Sequence, residues 1–333
     1  MKETAMKAVV QSCPGAADTL SLGDMPIPEP GPGQLRLRVR AAGVNRADVM
    51  QREGHYPPPP GASAILGLEV AGEIDAIGAG VTGFVPGERI AALVSGGGYA
   101  EFALVSASLA MRLPAGMGFV EAASLPEAWM TAWLNLRELG DLHVGQRVLI
   151  HAGASGVGAA AIQLARLSGA TVLTTAGSDE KCAFCESLGA SLAINYRTTD
   201  VAGAVRAAGK VDLILDPVGG ATLGPNLACL NQDGKLVLIA FMAGRSAELD
   251  LGQLLMKRLT VIGSTLRNRD PVTKARLAAR VQDTVIPAIV AGDVRATVDR
   301  TFPLAEVAAA HRYLESNQNR GKVVLTVAAA STV

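Results

Sequence analysis

Residues 147 to 176 read RVLIHAGASGVGAAAIQLARLSGATVLTTA, and their reading decides the fold. Val148-Leu149-Ile150 is a short, β-rich apolar run, too brief for a helix. Glycines follow at Gly153, Gly156 and Gly158, and then an Ala-rich segment with Val157, Ala161, Leu164 and Ala165 at helical spacing. Gly169 stops that helix, and Thr171 to Thr175 resumes as a second strand. Strand, glycine turn, helix and parallel strand make the βαβ unit that cradles a dinucleotide pyrophosphate. The glycine pattern departs from G-x-G-x-x-G, because Ser155 stands at the middle position between Gly153 and Gly158. A seryl hydroxyl there can itself donate to a phosphate.

Downstream the texture repeats. Leu192 to Tyr196, Val211 to Asp216, Lys235 to Ala240 and Leu259 to Ser264 are further strand candidates, with helical stretches between most of them. With Arg147 to Gly153 and Thr171 to Ala176 they total six, the number expected of a doubly wound, six-stranded dinucleotide domain over residues 126–266. Upstream, residues 1–125 are rich in Gly and Pro. Met6 to Val10, Gln34 to Ala41, Leu68 to Ile77, Arg89 to Val94 and Ala100 to Val105 read as strands between turn signals such as Pro26 to Gly33. Many short strands so punctuated suggest a partly closed β-structure. The run Pro57 to Pro60 must be extended and reads as a rigid loop wall. After residue 266 a helical stretch covers Pro271 to Val290, and Lys322 to Val327 is a last strand that is best explained as returning to the first domain.

Composition excludes several function classes. Of 333 residues, 30 are Lys or Arg and 30 Asp or Glu, so no net charge favours nucleic acid or anionic membranes. Aromatics at 4% give little for stacking on single strands. The start, MKETAMKAVV, does not read as a signal peptide, and no apolar run approaches the roughly 18 residues a bilayer span needs. The expectation is a cytoplasmic protein. Four cysteines include the pair Cys182 and Cys185, spaced C-x-x-C inside a probable helix, where they share a face and pack as small apolar groups. No second Cys or His pair has matching spacing, and the four histidines are scattered, so no metal is expected.

The end of the second strand selects the cofactor. An NAD site places a carboxylate there for the ribose 2′-hydroxyl. Here the strand runs Thr174-Thr-Ala-Gly-Ser178, with Lys181 following, a hydroxyl and a cation suited to a 2′-phosphate. Asp179 and Glu180 sit between them at a helix start, where they complement the dipole. Tyr196 can flank the same phosphate and the adenine. NADPH is therefore the expected cofactor.

The segments AAGVNRADVMQREGHYPPPPGAS, ILGLEVAGEI, LPEAWMTAW, VLIHAGASGVGAAAIQLARLSGA, TTAGSDEK, INYR and LILDPVGG resemble, in order, the zinc-free quinone oxidoreductases of the medium-chain dehydrogenase/reductase superfamily, with most likeness to the tumour-suppressor-inducible, zeta-crystallin-like members. The resemblance implies an α/β chain with a GroES-like, β-rich catalytic domain from both chain ends (1–125 and 267–333), a Rossmann domain inserted (126–266), and an active site in the cleft. Zinc-dependent relatives carry Cys and His where this chain has Asn45 and Leu68. By resemblance, Asn45 to Val49, Thr131, Ser155, Gly156, Val157, Gly177, Ser178, Lys181 and Tyr196 contact NADPH. So do Phe241, Met242 and Gly244 on one segment, and Ser264, Leu266 and Arg267 on another. Asn317 stands where a bacterial relative uses an arginine on the cofactor, with Arg320 and Lys322 close by. Tyr56 matches a tyrosine of the quinone pocket.

Asn45, Asp48 and Tyr56 are thus the candidate catalytic residues, Asn45 orienting cofactor or substrate and Tyr56 stacking on or bonding the substrate. The implied reaction is NADPH-dependent quinone reduction by metal-free hydride transfer. It needs mainly the donor and acceptor held at near-attack distance with water excluded. Reduction of enone or 2-enoyl double bonds is the alternative, with Tyr56 as the proton donor. A cofactor-binding protein co-opted for a structural or RNA-binding role is the alternative of another class. The apolar last Rossmann strand, Leu259 to Thr265, would be an exposed edge in a monomer, and pairing it across a two-fold axis predicts a homodimer.

Overall fold

The computed structural model describes residues 5–328. In chain order its strands are β1 (Ala5–Gln11), β2 (Leu20–Pro26), β3 (Gln34–Val44), β4 (Glu69–Ile77), β5 (Arg89–Leu93), β6 (Phe102–Ser106), β7 (Ala110–Arg112), β8 (Arg147–Ile150), β9 (Thr171–Ala176), β10 (Leu192–Asn195), β11 (Val211–Asp216), β12 (Leu230–Leu238), β13 (Thr260–Gly263), β14 (Val298–Pro303) and β15 (Lys322–Thr326). The chain divides into two compact units at Met130/Thr131 and again at Leu266/Arg267.

In the first unit β1 and β2 form an antiparallel ribbon. A second sheet runs β14-β15-β3-β4-β5-β7, with β6 also on β3. All its pairs are antiparallel except β14 with β15, which are parallel. The 11-residue strand β3 organises this sheet because β4, β6 and β15 all pair with it. Its inward side chains Leu35, Leu37, Val39 and Ala42 join Ile74, Ile90, Val323 and Leu325 in the core. The strand from the chain end, β15, pairs Val323 with Val44 and Leu325 with Ala42, so residues far apart in sequence complete one sheet.

Several elements depart from the expectation, among them the strands β7 and β14, for which no strand was expected. Leu20–Pro26 is a strand, although its alternation is weak, because β1 offers it a complete antiparallel register from Ala5/Pro26 to Gln11/Leu20. A short helix, Arg46–Arg52, interrupts the β-rich stretch, and Asp48 at its third position and Asn45 at its cap hold its start. The expected helix over 271–290 is present as Pro271–Arg280 and Ile286–Ala291, joined through a wider turn at Val281–Val285.

In the second unit all six strands are parallel, in the order β10-β9-β8-β11-β12-β13. That is the 3-2-1-4-5-6 order of a doubly wound sheet, with its switch point between β8 and β11. Val148, Leu149 and Ile150 of β8 are fully buried, as expected of a central parallel strand covered on both faces. Cys182 and Cys185 are free and buried on the helix Asp179–Ser187, and burial pushes the Cys185 thiol up to about 12.

Candidate functional site

In the second unit, β8 ends beside the turn that leads into the helix Gly156–Leu167. Ser155 caps this helix, its Oγ accepting from the Gly158 amide at 3.0 Å. The hydroxyl proton of Ser155 is thereby left to donate elsewhere. A Cβ at Gly158 would lie 2.3 Å from the Ala152 carbonyl, so only glycine lets helix and strand approach this closely. The amides of Gly156 and Val157 belong to the first helical turn and have no intrahelical acceptor. A 12-residue helix with donors and dipole aimed at one spot is an anion cradle.

At the tip of β9, Ser178 caps the next helix, accepting from the Lys181 amide at 3.3 Å. Asp179 is engaged by Asn195, whose Nδ2 donates to its Oδ1 at 2.8 Å. The Tyr196 hydroxyl lies against Gly177, and its ring is 53% exposed. Phe241 and Met242 are exposed, Gly244 takes a φ of 130°, and Thr131 is half-buried. Leu266 is buried, and so is Ser264, whose Oγ has no hydrogen-bond partner among the described residues. An orphaned buried hydroxyl costs about 1–3 kcal/mol unless a ligand meets it. The cradle and this hydroxyl fit a bound dinucleotide.

Beneath the turn lies a polar cluster that sequence reasoning missed. Asp216, fully buried at the end of β11, accepts from the amides of Val218 and Gly219 at 2.5 and 3.2 Å. It also accepts from the Thr222 hydroxyl at 2.7 Å and from Asn226 Nδ2 at 2.8 Å. His151 meets Asn226 Oδ1 at 2.8 Å and Thr175 Oγ1 at 3.0 Å. The segment LILDPVGG carried the one signal for this cluster, an aspartate ending an apolar strand before a glycine pair.

In the first unit, Asn45, Asp48 and Tyr56 occupy or follow the helix Arg46–Arg52. Asn45 Nδ2 donates to Glu69 Oε1 at 2.9 Å, and its Oδ1 accepts from Lys322 Nζ at 2.6 Å. Lys322 Nζ is also 2.5 Å from Glu69 Oε1, with both residues buried. Lys322, close to Asn317 in the sequence, is thus internal. A Cβ at Gly43 would meet Glu69 Oε1 at 2.1 Å, so the ion pair needs glycine there. Asp48, expected among the catalytic residues, is fully buried. It accepts from the Asn45 and Gly67 amides at 2.8 and 3.1 Å and from the Tyr99 hydroxyl at 2.9 Å. Burial pushes its carboxyl up to about 6, against the pull of these donors and of Lys322. A group so enclosed is placed to position its neighbours.

Tyr56 is half-buried, and the Arg267 guanidinium sits over its ring, 5.3 Å from the centroid. Arg267 donates to Gln51 Oε1 at 2.7 Å and to the Ser95 carbonyl at 2.8 Å, while its Nε is buried without a partner. Burial raises the Tyr56 phenol above its usual value, and the Glu127 carboxyl adds to that. Asn317 sits apart from these groups in a left-handed turn, with φ of 53°, and its Oδ1 accepts from Arg46 at 2.6 Å. The residues missed here are Glu69, Lys322 and Glu127. Glu69 had a signal, a carboxylate interrupting the apolar run ILGLEV.

Residues 31–115 match the alcohol dehydrogenase GroES-like domain and residues 156–281 the zinc-binding dehydrogenase domain. A quinone oxidoreductase of Pseudomonas aeruginosa is 33% identical over 86% of this chain and 89% of its own. The chain belongs to the quinone oxidoreductase family. Among solved structures, Escherichia coli quinone oxidoreductase complexed with NADPH is 28% identical, with a TM-score of 0.86 over 97% of this chain and 100% of its own. JamJ enoyl reductase is 26% identical, with a TM-score of 0.85 over 97% and 99%. The chain also spans 63% of a zebrafish (Danio rerio) synaptic vesicle membrane protein VAT-1 homolog, at 31% identity over 86% of this chain. It spans 14% of a Mycobacterium bovis phthioceranic/hydroxyphthioceranic acid synthase, at 32% identity over 87% of this chain.

Within this family the zinc-binding description does not transfer to the side chains. Among the described residues no three His, Cys, Asp or Glu are grouped to hold a metal ion. At Glu69, the Lys322 ammonium already stands as the cation. An amide, an ammonium and an apolar Leu68 do not fit zinc.

Proposed function

We propose that this chain reduces quinones with NADPH, by hydride transfer without a metal. The observation that carries the reading is the coexistence of a complete dinucleotide cradle at Ser155–Gly158 with a Glu69–Lys322 ion pair in place of metal ligands. The bound cofactor supplies the hydride from nicotinamide C4. Ser155, Gly156 and Val157 hold the pyrophosphate. Gly177, Ser178, Lys181 and Tyr196 receive the 2′-phosphate and adenine ribose. Thr131, Phe241, Met242, Gly244, Ser264 and Leu266 line the remainder, and Arg267 and Asn317 are further cofactor-contacting candidates. Asn45, locked by Glu69 and Lys322, orients the reactants. Asp48 positions Asn45 through its amide, and Tyr56 packs on the substrate ring.

Turnover of a panel of ortho- and para-quinones, diketones and 2-enals with NADPH and with NADH tests this. Quinone turnover with NADPH well above NADH is expected, and binding of NADPH with no quinone turnover would overturn it. The enoyl reductase likeness favours 2-enal reduction as the second reading, so faster turnover of enals than quinones would select it. No helix among the described residues is long and apolar enough to cross a membrane. We place the protein in the cytoplasm, acting on small molecules and not on nucleic acid. We also propose a homodimer through the β13 edge, where Val261 is exposed and the helix Leu251–Lys257 presents Leu255 and Met256 at 74% and 80% exposure. Light scattering at micromolar concentration would show twice the chain mass; a monomer mass would contradict the pairing.

A further inference from the structure

We propose that Glu127 is the general acid that protonates the reduced substrate, an inference that rests on the quinone reductase reading above. Glu127 lies in the first turn of the helix Pro126–Trp133, and its amide donates to Glu69 Oε2 at 2.8 Å. That bond fixes Glu127 beside a fully buried carboxylate whose other oxygen is already taken by Lys322 and Asn45. The Glu127 carboxyl itself makes no hydrogen bond or ion pair with any described residue, and the residue is only half-buried. It is a carboxyl held in place through its backbone, with its functional end desolvated and unbonded to any described residue.

The charges around it come from every side. Glu69 of β4 and Asp48 of the helix Arg46–Arg52 repel a second negative charge, while Lys322 of β15 and Arg267 oppose them. Lys274 of the helix Pro271–Arg280 and the Tyr56 phenol also feel the Glu127 charge. Burial first, then Glu69, push the Glu127 carboxyl up to about 8. It therefore carries its proton at neutral pH and gives it up more readily than Tyr56, whose phenol is held above 10.0. An acid poised near the working pH is the better donor of the two.

Hydride delivery adds two electrons and one hydrogen nucleus to the quinone, leaving a hydroquinone anion. The Glu127 O–H bond breaks with its electron pair staying on the carboxylate, and an O–H bond forms on the hydroquinone oxygen. Bulk water then returns a proton to Glu127.

The test is the pH profile of kcat for a quinone with NADPH, in the wild type and in Glu127→Gln, whose amide matches the neutral carboxylic acid in shape and charge. Wild-type kcat should fall as pH rises through about 8. Glu127→Gln should lose on the order of 10²-fold in kcat and show no such fall, with NADPH affinity by fluorescence titration unchanged. Glu127→Asp should recover part of the rate together with the pH dependence. A wild-type profile flat from pH 7 to 9, or a Glu127→Gln enzyme with the wild-type rate and profile, would overturn the assignment while leaving quinone reduction intact. Wild-type protein that binds NADPH and turns over no quinone would remove the reading beneath it as well.

Discussion

Glu69 at the start of β4 and Asp216 at the end of β11 are both fully buried carboxylates, one in each unit, and they are stabilised by opposite means. Asp216 is held by two amides, a hydroxyl and a carboxamide, all of them neutral donors from the same stretch of chain. Glu69 depends on the Lys322 ammonium, brought from the far end of the chain, with Asn45 bonded to both. Local neutral donors arrive with the turn that makes them. A buried cation must be delivered by tertiary structure, and its charge then reaches every titratable neighbour. The carboxyl groups beside Glu69, Asp48 and Glu127, are raised by burial first, and Glu127 also by the Glu69 charge, while the Lys322 ammonium pulls both the other way.

The most direct way to break the comparison is to remove the cation. Lys322→Met leaves Glu69 buried and unpaired and is expected to cost about 3–5 kcal/mol in urea unfolding, with most of that loss recovered in the Lys322→Met, Glu69→Gln double variant. A loss below about 1 kcal/mol would show that Glu69 does not need Lys322.

Asp48 sharpens the same point through pH. Its pKa is raised in the folded protein, so its protonated form is favoured by folding. The associated stability is fully present below about 3.8 and is lost as pH rises through about 6. The loss should be of the order of 2–3 kcal/mol, read as the difference between wild type and Asp48→Asn in unfolding midpoints from pH 3.5 to 7. Parallel curves for the two proteins would mean that the amide and hydroxyl donors outweigh burial.

Across the comparison, Asp216→Asn replaces one acceptor oxygen by a donor facing other donors. A cost of about 1–3 kcal/mol is expected. Because no cation is involved, this loss should not change between low and high salt, unlike an exposed charge pair. The smallest effect is at the cofactor end: Lys181→Ala should raise KM for NADPH on the order of tenfold, about 1.4 kcal/mol, and leave KM for NADH nearly unchanged. An equal effect on both would remove Lys181 from 2′-phosphate recognition.

How much of this was legible in the sequence divides along the same line. The six parallel strands of the second unit stand within a few residues of their expected places, because buried parallel strands write continuous apolar runs closed by glycine turns. Ser155 was legible as a hydroxyl at the glycine turn, and the structure adds that it caps the helix. In the first unit Leu20–Pro26 was not legible, because its strand character comes from pairing with β1 more than from its own pattern. Asp48 was named a catalytic candidate within the stretch Asn45 to Val49 that the resemblance singled out. Nothing local announced that Gly67 and Tyr99 would enclose it.

Legible in the residue order were the βαβ periodicity, the glycine and serine turn after β8, and the lack of metal-spaced ligands. Those features live within a few residues of one another, where propensity and spacing act directly. Packing alone brought Lys322 to neutralise Glu69 from 277 residues beyond Asn45, and set the Glu127 backbone beside that pair. The energy of a buried charge depends on which groups surround it in space, and chain order does not encode that until β15 pairs with β3.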